Sequence, residues 1–288
     1  MTSIAADNGL LARCTFPAPG KPVVAAVSGG ADSTAMLLLA VESGCDVTAV
    51  HVDHGLRSGS HVEADHVDAV ARVLGVPFRS ERVDLPPGPN LEARARDARR
   101  AVVGADAMTG HTADDRAETL LLQLLRGAGT TGVAAIRPGP TKPILALRRS
   151  ETRALCESRG IATIEDPSND DPAFRRNRVR HEVLPLLDEV AGRDTTVLLA
   201  RAAALLDDDD RFLDELAGAL DPTDARAVAG AHPVLGRRAI RRWLASPYPP
   251  DLAAVERVLA VCRGEIRATE VGGGRRVRRH AGRLILET

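Results

Sequence analysis

The sequence predicts an α/β protein with a parallel sheet of approximately five strands and helices on both faces, followed by a smaller, mainly helical domain ending in a β-hairpin. In the first half, short apolar runs alternate with amphipathic segments, which is typical of strand–helix–strand units. After Val183 helical segments dominate, and Val271–Leu286 forms a glycine-punctuated hairpin pattern. We therefore predict two domains, residues 1–187 and 188–288.

The predicted elements of the first domain follow one another closely, as right-handed crossover connections require. Strands are predicted at Pro22–Val27, Val47–Val52, Phe78–Val83 and Ala105–Thr109, and helices at Thr34–Glu42, Ser60–Leu74, Leu91–Val103, Ala113–Arg126 and Glu151–Arg159. Ser60 and Glu63 have the spacing of a capping box. In the second domain, Asp207–Asp210 are expected on a solvated helix face, without a function.

Composition describes a globular protein of 288 residues, 44% hydrophobic and 27% charged. No apolar stretch approaches the length of a membrane span. Residues 1–9 lack the basic start and apolar core of a secretory signal, so we expect a cytoplasmic protein. The four cysteines, Cys14, Cys45, Cys156 and Cys262, lack the spacing of a metal site and are expected to be buried thiols.

The basic residues are almost all arginine, since only Lys21 and Lys142 are lysines among 38 basic residues. A coding bias can explain this abundance, but not why arginines gather largely after residue 174. Aromatic residues are only 2%, so a bound nucleic acid would be held by arginine–phosphate contacts rather than stacked bases.

The strongest local signal is a buried strand that runs through Ser28-Gly29-Gly30-Ala31-Asp32-Ser33 into a helix. Such a turn presents free backbone N–H groups and the positive end of a helix dipole to an anion. The glycines let a phosphate approach the backbone, and the two serines add hydroxyl donors. Asp32 would lie beside the phosphates, which makes it a candidate Mg²⁺ ligand. The string resembles the PP-loop of enzymes that cleave ATP between its α- and β-phosphates.

Further sequence motifs indicate which family of PP-loop enzymes the chain resembles. They are His51-Val52-Asp53-His54-Gly55-Leu56-Arg57, Asn90-Leu91-Glu92-Ala93 followed by Arg96 and Arg99, Gly110 to Thr119, Leu125 to Gly129, Glu165 to Asn169, and Arg176 to Arg180. In this order they resemble the bacterial tRNA(Ile)-lysidine synthetases over roughly residues 22–187. Two positions depart from the family pattern: Arg100 replaces a usual tyrosine, and Gly110-His111-Thr112 replaces a frequent Ala-His-His.

The resemblance implies an enzyme that uses ATP and Mg²⁺ to adenylate the wobble cytidine of a tRNA(Ile) with a CAU anticodon. Free L-lysine then displaces AMP at carbon 2 of the base, giving lysidine. ATP binding is assigned to Ser28, Gly29, Gly30, Ala31, Asp32, Ser33, His51, Val52 and Asp53, the last three at the carboxyl end of a strand. The catalytic assignment comprises Asp32, Arg96, His111 and Asp115.

The carboxylates of Asp114, Asp115 and Glu118 share one helix face, because they are three and four residues apart. They are assigned to binding the lysine ammonium group, and Asp115 is alternatively a base that removes its proton. Simple complementation of the helix dipole remains a further explanation.

Two arginine clusters are assigned to tRNA. Arg175, Arg176, Arg178 and Arg180 follow the string at Glu165, and Arg275, Arg276, Arg278 and Arg279 lie in the terminal hairpin with His280 and Arg283. A solvated charged surface is the alternative for both. Whether the chain forms a homodimer is left open.

Three other functions are alternatives for a sequence of this kind. A tRNA thiolase generally needs paired cysteines, which this chain does not have. An NAD or GMP synthetase does not suit the string at His51 or the strings from Glu165 to Arg180. A non-catalytic nucleotide-binding module is disfavoured by Asp32, His111 and Asp115.

Overall fold

The computed structural model describes residues 8–53, 61–83, 91–134, 136–165 and 170–287. It divides into two compact units, one up to Ala204 and one from Leu205. This division falls within a long helix, Thr195–Gly218. The domain division at residue 187 stays a prediction.

The first unit has the alternating order of strands and helices that the sequence predicts. Its strands are β1 Pro22–Ala26, β2 Asp46–Asp53, β3 Phe78–Arg82 and β4 Met108–Thr109. Its helices are α1 Asn8–Leu11, α2 Ala31–Glu42, α3 His61–Leu74, α4 Leu91–Val103, α5 Ala113–Leu124, α6 Thr130–Val133, α7 Arg149–Ser158, α8 Arg175–Arg178 and α9 Leu184–Ala191. A π-helical turn, Val179–Val183, joins α8 to α9, and α10, Thr195–Gly218, begins in this unit.

The described strands of this unit form one parallel sheet in the order β3-β2-β1-β4. It has four strands among the described residues, where the sequence predicted approximately five. After α5 the chain forms turns and an isolated bridge between Gly139 and Lys142. Pro138, Pro140 and Pro143 lie in this stretch and have no N–H to donate to a strand ladder.

Helices cover both faces of the sheet, as predicted, because alternate strand residues point to opposite sides. On one face, Ala25, Val47 and Ala49 join a core formed mainly with α2, α3 and α7. On the other face, Val50 packs in a smaller cluster with Val103 of α4. The carboxyl ends of β1, β2 and β4 are therefore held rigidly at one edge.

The second unit is helical and ends in a small antiparallel sheet. Its elements are α11 Ala225–Gly230, α12 Pro233–Trp243, α13 Leu252–Arg263, β5 Ala268–Gly272, β6 Arg275–His280 and β7 Arg283–Glu287. The sequence predicted a two-stranded hairpin, whereas the sheet has three strands in the order β5-β6-β7. The reason is a second tight turn at Ala281 and Gly282, where both residues have positive φ.

The acidic run of α10 differs from the prediction. Asp208 and Asp209 are exposed, but Asp207 and Asp210 are buried. The carboxylate of Asp210 pairs with Arg238 at 2.7 Å. The two buried residues are three apart, so they lie on the same face of the helix, and that face points into the protein. The sequence alone did not reveal this, because all four residues are aspartate.

None of the described helices combines the length and the apolar character that a membrane crossing requires. Some sequence predictions lie outside the described residues: Ser60 of the capping box, His54–Arg57, Asn90 and Asp166–Asn169.

The core position of Leu37 provides a stability prediction. Its side chain on α2 is fully buried, so Leu37→Ala should reduce the free energy of unfolding by about 2–5 kcal/mol through lost burial and a residual cavity. Urea denaturation measures the change. Leu124→Ala is the matched control, because Leu124 is 53% exposed and should lose less than about 0.5 kcal/mol. Equal losses at both positions would contradict the described core.

Candidate active site

The phosphate loop, Ser28–Ser33, connects β1 to α2 at the carboxyl edge of the sheet. Gly29 has a φ of 89°, and Gly30 precedes α2 without a side-chain cap. The first backbone N–H groups of α2 are consequently not occupied by a capping side chain, and the helix dipole adds positive potential there. This geometry suits a bound anion.

The loop is held on two sides by backbone. The N–H of Ile164 donates to the carbonyl of Gly29 at 2.9 Å. On the other side, a Cβ atom at Gly110 would lie 2.7 Å from the backbone of Asp32 and Ser33. Only glycine at position 110 leaves room for this approach, so the residue after β4 fixes the beginning of α2.

Hydroxyl groups shape the interior of the loop. The hydroxyl of Ser33 accepts from the N–H of Ser28 at 3.1 Å and donates to the carbonyl of Gly30 at 3.0 Å. It is also 3.1 Å from the hydroxyl of Ser28. Ser33 is buried, whereas Ser28 is exposed, which leaves the Ser28 hydroxyl accessible to a ligand.

Asp32 lies in the first turn of α2 and accepts from two residues of α7. Thr152 donates its hydroxyl proton to Oδ1, and Nε of Arg149 donates to Oδ2 at 3.4 Å. Burial raises the pKa of Asp32, because Thr152 and Arg149 offset the desolvation only in part. The carboxylate is thus short of positive charge, a condition that a divalent cation would relieve.

Asp115 is the third residue of α5 and serves as part of its cap. Its Oδ2 accepts from the backbone N–H of Thr112 at 2.7 Å and from the Thr112 hydroxyl at 2.8 Å. Its Oδ1 accepts from Arg149 at 3.2 Å and from Arg176 at 2.9 Å. Burial works to raise the pKa of Asp115, but the two guanidinium groups and His111 outweigh it and lower the pKa.

Glu118 lies one turn further along α5 and is completely buried. Its carboxylate contacts three guanidinium groups: Arg149 at 3.1 Å, Arg176 at 2.7 Å and Arg180 at 2.7 Å. A buried carboxylate is tolerated only when it is paired and hydrogen-bonded in this way. Glu118 therefore anchors α7, α8 and the π-helical turn to α5.

Asp114 is paired as well. It accepts from the side chain of Arg148 at 3.0 and 3.2 Å and from the backbone N–H of Arg149 at 2.9 Å. All three carboxylates assigned to lysine binding thus contact arginines. We call the set formed by Asp32, Asp114, Asp115, Glu118, Arg148, Arg149, Arg176 and Arg180 the arginine–carboxylate network.

Sequence reasoning missed Arg148, Arg149 and Thr152. The predicted helix began at Glu151, whereas α7 begins at Arg149 and packs along α2. A signal was present: Glu151 is three residues after Arg148, and its carboxylate accepts from the Arg148 N–H at 2.8 Å, as at many helix starts. That spacing would have placed Arg149 at the helix start.

The two predicted histidines occupy different surroundings. His51 is buried, and its Nδ1 is bonded to the carbonyl of Val27, directly before the phosphate loop, at 2.9 Å. Val52 and Asp53 follow it at the end of β2 and are partly buried. His111 lies between β4 and α5, with Nδ1 2.8 Å from the hydroxyl of Thr109. Both strand ends are thus next to the loop, as the sheet order requires.

The predicted tRNA-binding arginines differ in exposure and in how many of their side chains are already bonded to the protein. Arg175 is exposed, and Arg178 pairs with Glu182 on the surface, whereas Arg176 and Arg180 belong to the network. In the terminal sheet, Arg276 is exposed. The other three are engaged: Arg275 is buried and donates to the carbonyl of Leu244, Arg278 pairs with Glu287, and Arg279 donates to the carbonyl of Cys262. Arg96 lies on α4, and its side chain is outside the described part of the structure.

One of the four thiols contacts the phosphate loop: Sγ of Cys156 donates to the carbonyl of Ala31 at 3.5 Å. Cys14, Cys45, Cys156 and Cys262 are free cysteines, and burial raises the pKa of Cys14, Cys156 and Cys262 to about 11. Within the described ranges, no group of three or more His, Cys, Asp or Glu residues is arranged to hold a metal ion. A magnesium ion at Asp32 would therefore share its coordination with a ligand's phosphates, as Mg²⁺ commonly does.

Comparison with known proteins agrees with this geometry. A family model described as a PP-loop domain matches residues 8–187. Among solved structures, a U34-tRNA thiolase from Methanococcus maripaludis is similar with a TM-score of 0.52 and 16% identity, over 68% of this chain and 75% of that one. At this identity the similarity shows a shared fold. The fold and the loop together define a PP-loop nucleotide-binding protein.

Curated relatives are more specific. The tRNA(Ile)-lysidine synthase of Nocardia farcinica is 40% identical over 90% of this chain and 88% of its own. That of Rhodococcus erythropolis is 40% identical over 93% and 90%. That of Thermus thermophilus is 40% identical over 93% of this chain, which spans 57% of the longer Thermus protein. The chain belongs to the tRNA(Ile)-lysidine synthase family.

Gly110 offers a test of how the phosphate loop is held. In Gly110→Ala the new methyl group would meet the backbone of Asp32 and Ser33 at 2.7 Å, so the beginning of α2 must shift. We expect a loss of ATP affinity of at least about tenfold, or about 1.4 kcal/mol, measured by isothermal titration calorimetry. Gly230→Ala is the control, because its Cβ would enter open space. Unchanged affinity in Gly110→Ala would contradict the close backbone contact.

Asp115 offers a test by pH. Its pKa is lowered on folding from an ordinary value of 3.8, so its charge contributes stability that is present above pH 3.8 and lost as pH falls through the lower folded pKa. Asp115→Asn keeps an oxygen for the helix cap but loses the charge. At pH 7 we expect a loss of about 1–3 kcal/mol in the free energy of unfolding, since Arg149 and Arg176 each lose one of their charged partners.

The same comparison of wild type and Asp115→Asn by urea denaturation at pH 3 should give a smaller difference, because below pH 3.8 the unfolded wild type binds the proton and part of the stability from the charge is lost. A difference that stays constant with pH would show that charge is not the reason for the loss.

Proposed function

We propose that this protein is an ATP-dependent ligase that joins free L-lysine to carbon 2 of the wobble cytidine in a tRNA(Ile) with a CAU anticodon. The products are lysidine, AMP and pyrophosphate. The observation that carries the proposal is the phosphate loop with its uncapped α2 and adjacent carboxylate, in a chain that is 40% identical to tRNA(Ile)-lysidine synthases. The proposed location is the cytoplasm.

ATP is proposed to bind on the phosphate loop. The N–H groups of Ala31, Asp32 and Ser33 and the hydroxyl of Ser28 would hold phosphate oxygens, and the glycines permit close approach. The residues at the end of β2, His51 to Asp53, are proposed to contact the nucleoside, because ligands of open α/β sheets lie at the carboxyl ends of the strands.

Asp32 is proposed to hold Mg²⁺ together with the phosphates. Burial destabilises its charged form, which a cation would stabilise, and its oxygen is the kind of ligand that Mg²⁺ prefers. The ion would neutralise charge on the triphosphate. The residues fit this role, although Arg149 and Thr152 already donate to the same carboxylate.

Asp115 is better suited to an electrostatic role than to removing a proton. A base works best when its pKa is near the working pH, and the pKa of Asp115 is shifted in the opposite direction. His111, half-buried near the loop and bonded to Thr109, is the better candidate for proton transfer from lysine. Arg96 remains in the catalytic proposal.

Lysine binding by Asp114, Asp115 and Glu118 remains a prediction. Each carboxylate contacts an arginine, so a lysine ammonium group would have to compete with a guanidinium group. For tRNA, the exposed side chains of Arg175 and Arg276 are the members of the two clusters that are most available for phosphate contacts.

The experiment that tests this function incubates the protein with ATP, Mg²⁺, labelled lysine and a transcript of tRNA(Ile) with a CAU anticodon. Nucleoside analysis should detect lysidine, and AMP and pyrophosphate should form in equal amounts. A methionine tRNA with the same anticodon is the matched control and should not be modified. Release of ADP and orthophosphate, or the absence of lysidine with active tRNA, would contradict the proposal.

A further inference from the structure

The arginine–carboxylate network pairs acidic with basic side chains, and Arg148 at its edge also pairs with Asp194 at 2.5 Å. It contains four carboxylates, Asp32, Asp114, Asp115 and Glu118, and four guanidinium groups, Arg148, Arg149, Arg176 and Arg180. Each carboxylate contacts at least one guanidinium within 3.4 Å. Because each of these carboxylates is already bonded to an arginine, the acids are suited to orienting the arginines.

Arg149 is the arginine that links the network to the phosphate loop. Its Nε donates to Asp32 at 3.4 Å, its Nη2 to Asp115 at 3.2 Å and its Nη1 to Glu118 at 3.1 Å. Three separate carboxylates therefore fix the plane of one guanidinium group. Its side chain nevertheless remains 22% exposed.

A guanidinium group has five N–H donors. Three of those of Arg149 are used in these bonds, and the other two have no partner among the residues that the structure describes. An oriented, partly exposed guanidinium with donors to spare is well suited to an oxyanion, because no reorganisation is needed when charge develops.

The position of Arg149 indicates which anion it would bind. Asp32, its partner, is in the first turn of α2, and the N–H groups of that turn are the proposed phosphate site. A phosphate on those groups would lie within reach of a guanidinium that already touches the same turn. Thr152, one turn after Arg149 on α7, also bonds Asp32, so α7 is tied to the loop at two points.

We propose that Arg149 is a catalytic residue that contacts the α-phosphate of ATP during adenylation of the tRNA base. This rests on the proposed function. In that step the carbonyl oxygen of cytosine forms a bond to the α-phosphorus, and the bond from this phosphorus to the α,β-bridging oxygen breaks. The electron pair leaves with pyrophosphate, while charge concentrates on the non-bridging α-oxygens that face Arg149.

Contact of Arg149 with the α-phosphate and lysine binding by the carboxylates of the network predict different kinetic effects. If the network serves the α-phosphate, weakening Arg149 slows adenylation and leaves the KM for lysine unchanged. If the carboxylates bind lysine, altering their partner changes the KM for lysine and leaves adenylation at its normal rate. The two steps can be measured separately, because adenylation needs no lysine.

The test compares Arg149→Lys with Arg153→Lys. Arg153 lies one turn further along α7, is 59% exposed and contacts Glu165 only at 3.7 Å, so it is the matched control. The tRNA-dependent exchange of labelled pyrophosphate into ATP, without lysine, reports adenylation. Arg149→Lys should slow this exchange about 10²–10³-fold, the usual effect of losing an oxyanion donor, and Arg153→Lys should not.

A sulfur substitution distinguishes contact from mere positioning. ATP with sulfur at a non-bridging α-position forms a weaker hydrogen bond with a guanidinium group, so the wild type should exchange it more slowly than ATP. In Arg149→Lys this difference should shrink, because the contact has already been lost. A positioning role would slow both nucleotides by the same factor and keep the difference.

The proposal is overturned if Arg149→Lys exchanges pyrophosphate within about twofold of the wild type, or if it retains the full sulfur effect. It is also overturned if the KM for lysine rises while exchange is normal. Urea denaturation checks that Arg149→Lys folds. If it does not fold, Arg149→Gln takes its place and is tested for the same sulfur effect. A wild type that forms no pyrophosphate with tRNA would instead contradict the proposed function.

Discussion

The site depends on a buried carboxylate that cannot be left without partners. Glu118 has no exposed surface, and the cost of burying its charge is met by guanidinium groups from three consecutive parts of the chain, α7, α8 and the π-helical turn. These segments lie 31 or more residues from Glu118 in sequence, and the carboxylate brings them to α5. Removing it would take a buried counter-ion from each of three arginines, and the elements around the phosphate loop would lose their common anchor.

The phosphate loop depends on backbone contacts as much as on its own residues. Ile164 supports Gly29, and Gly110 allows the end of β4 to approach the start of α2. The strands that carry these contacts are fixed by packing on both faces of the sheet. The chemistry proposed for the loop thus rests on ordinary core residues such as Leu37 and Val50, which hold the edge of the sheet in place.

Much of the fold was predictable because its signals are local. Strand and helix periodicity, and the glycines of the phosphate loop, were readable without any knowledge of distant contacts. The network was not, because each of its bonds joins residues that are far apart in sequence. Arg176 and Arg180 read as an exposed basic cluster, and only the three-dimensional structure brings them to Glu118. The same limitation hid Asp210, whose partner Arg238 lies on another helix.

The hydrogen bond between His51 and Val27 also fixes the tautomer of the imidazole. A carbonyl oxygen can only accept, so Nδ1 must carry the proton. In the neutral ring, Nε2 then has a lone pair and no hydrogen. This nitrogen is buried and has no hydrogen-bond partner among the described residues, so in the neutral ring it could accept only from a group that carries an N–H or O–H. A single main-chain acceptor thereby decides what kind of group the other ring nitrogen can bond.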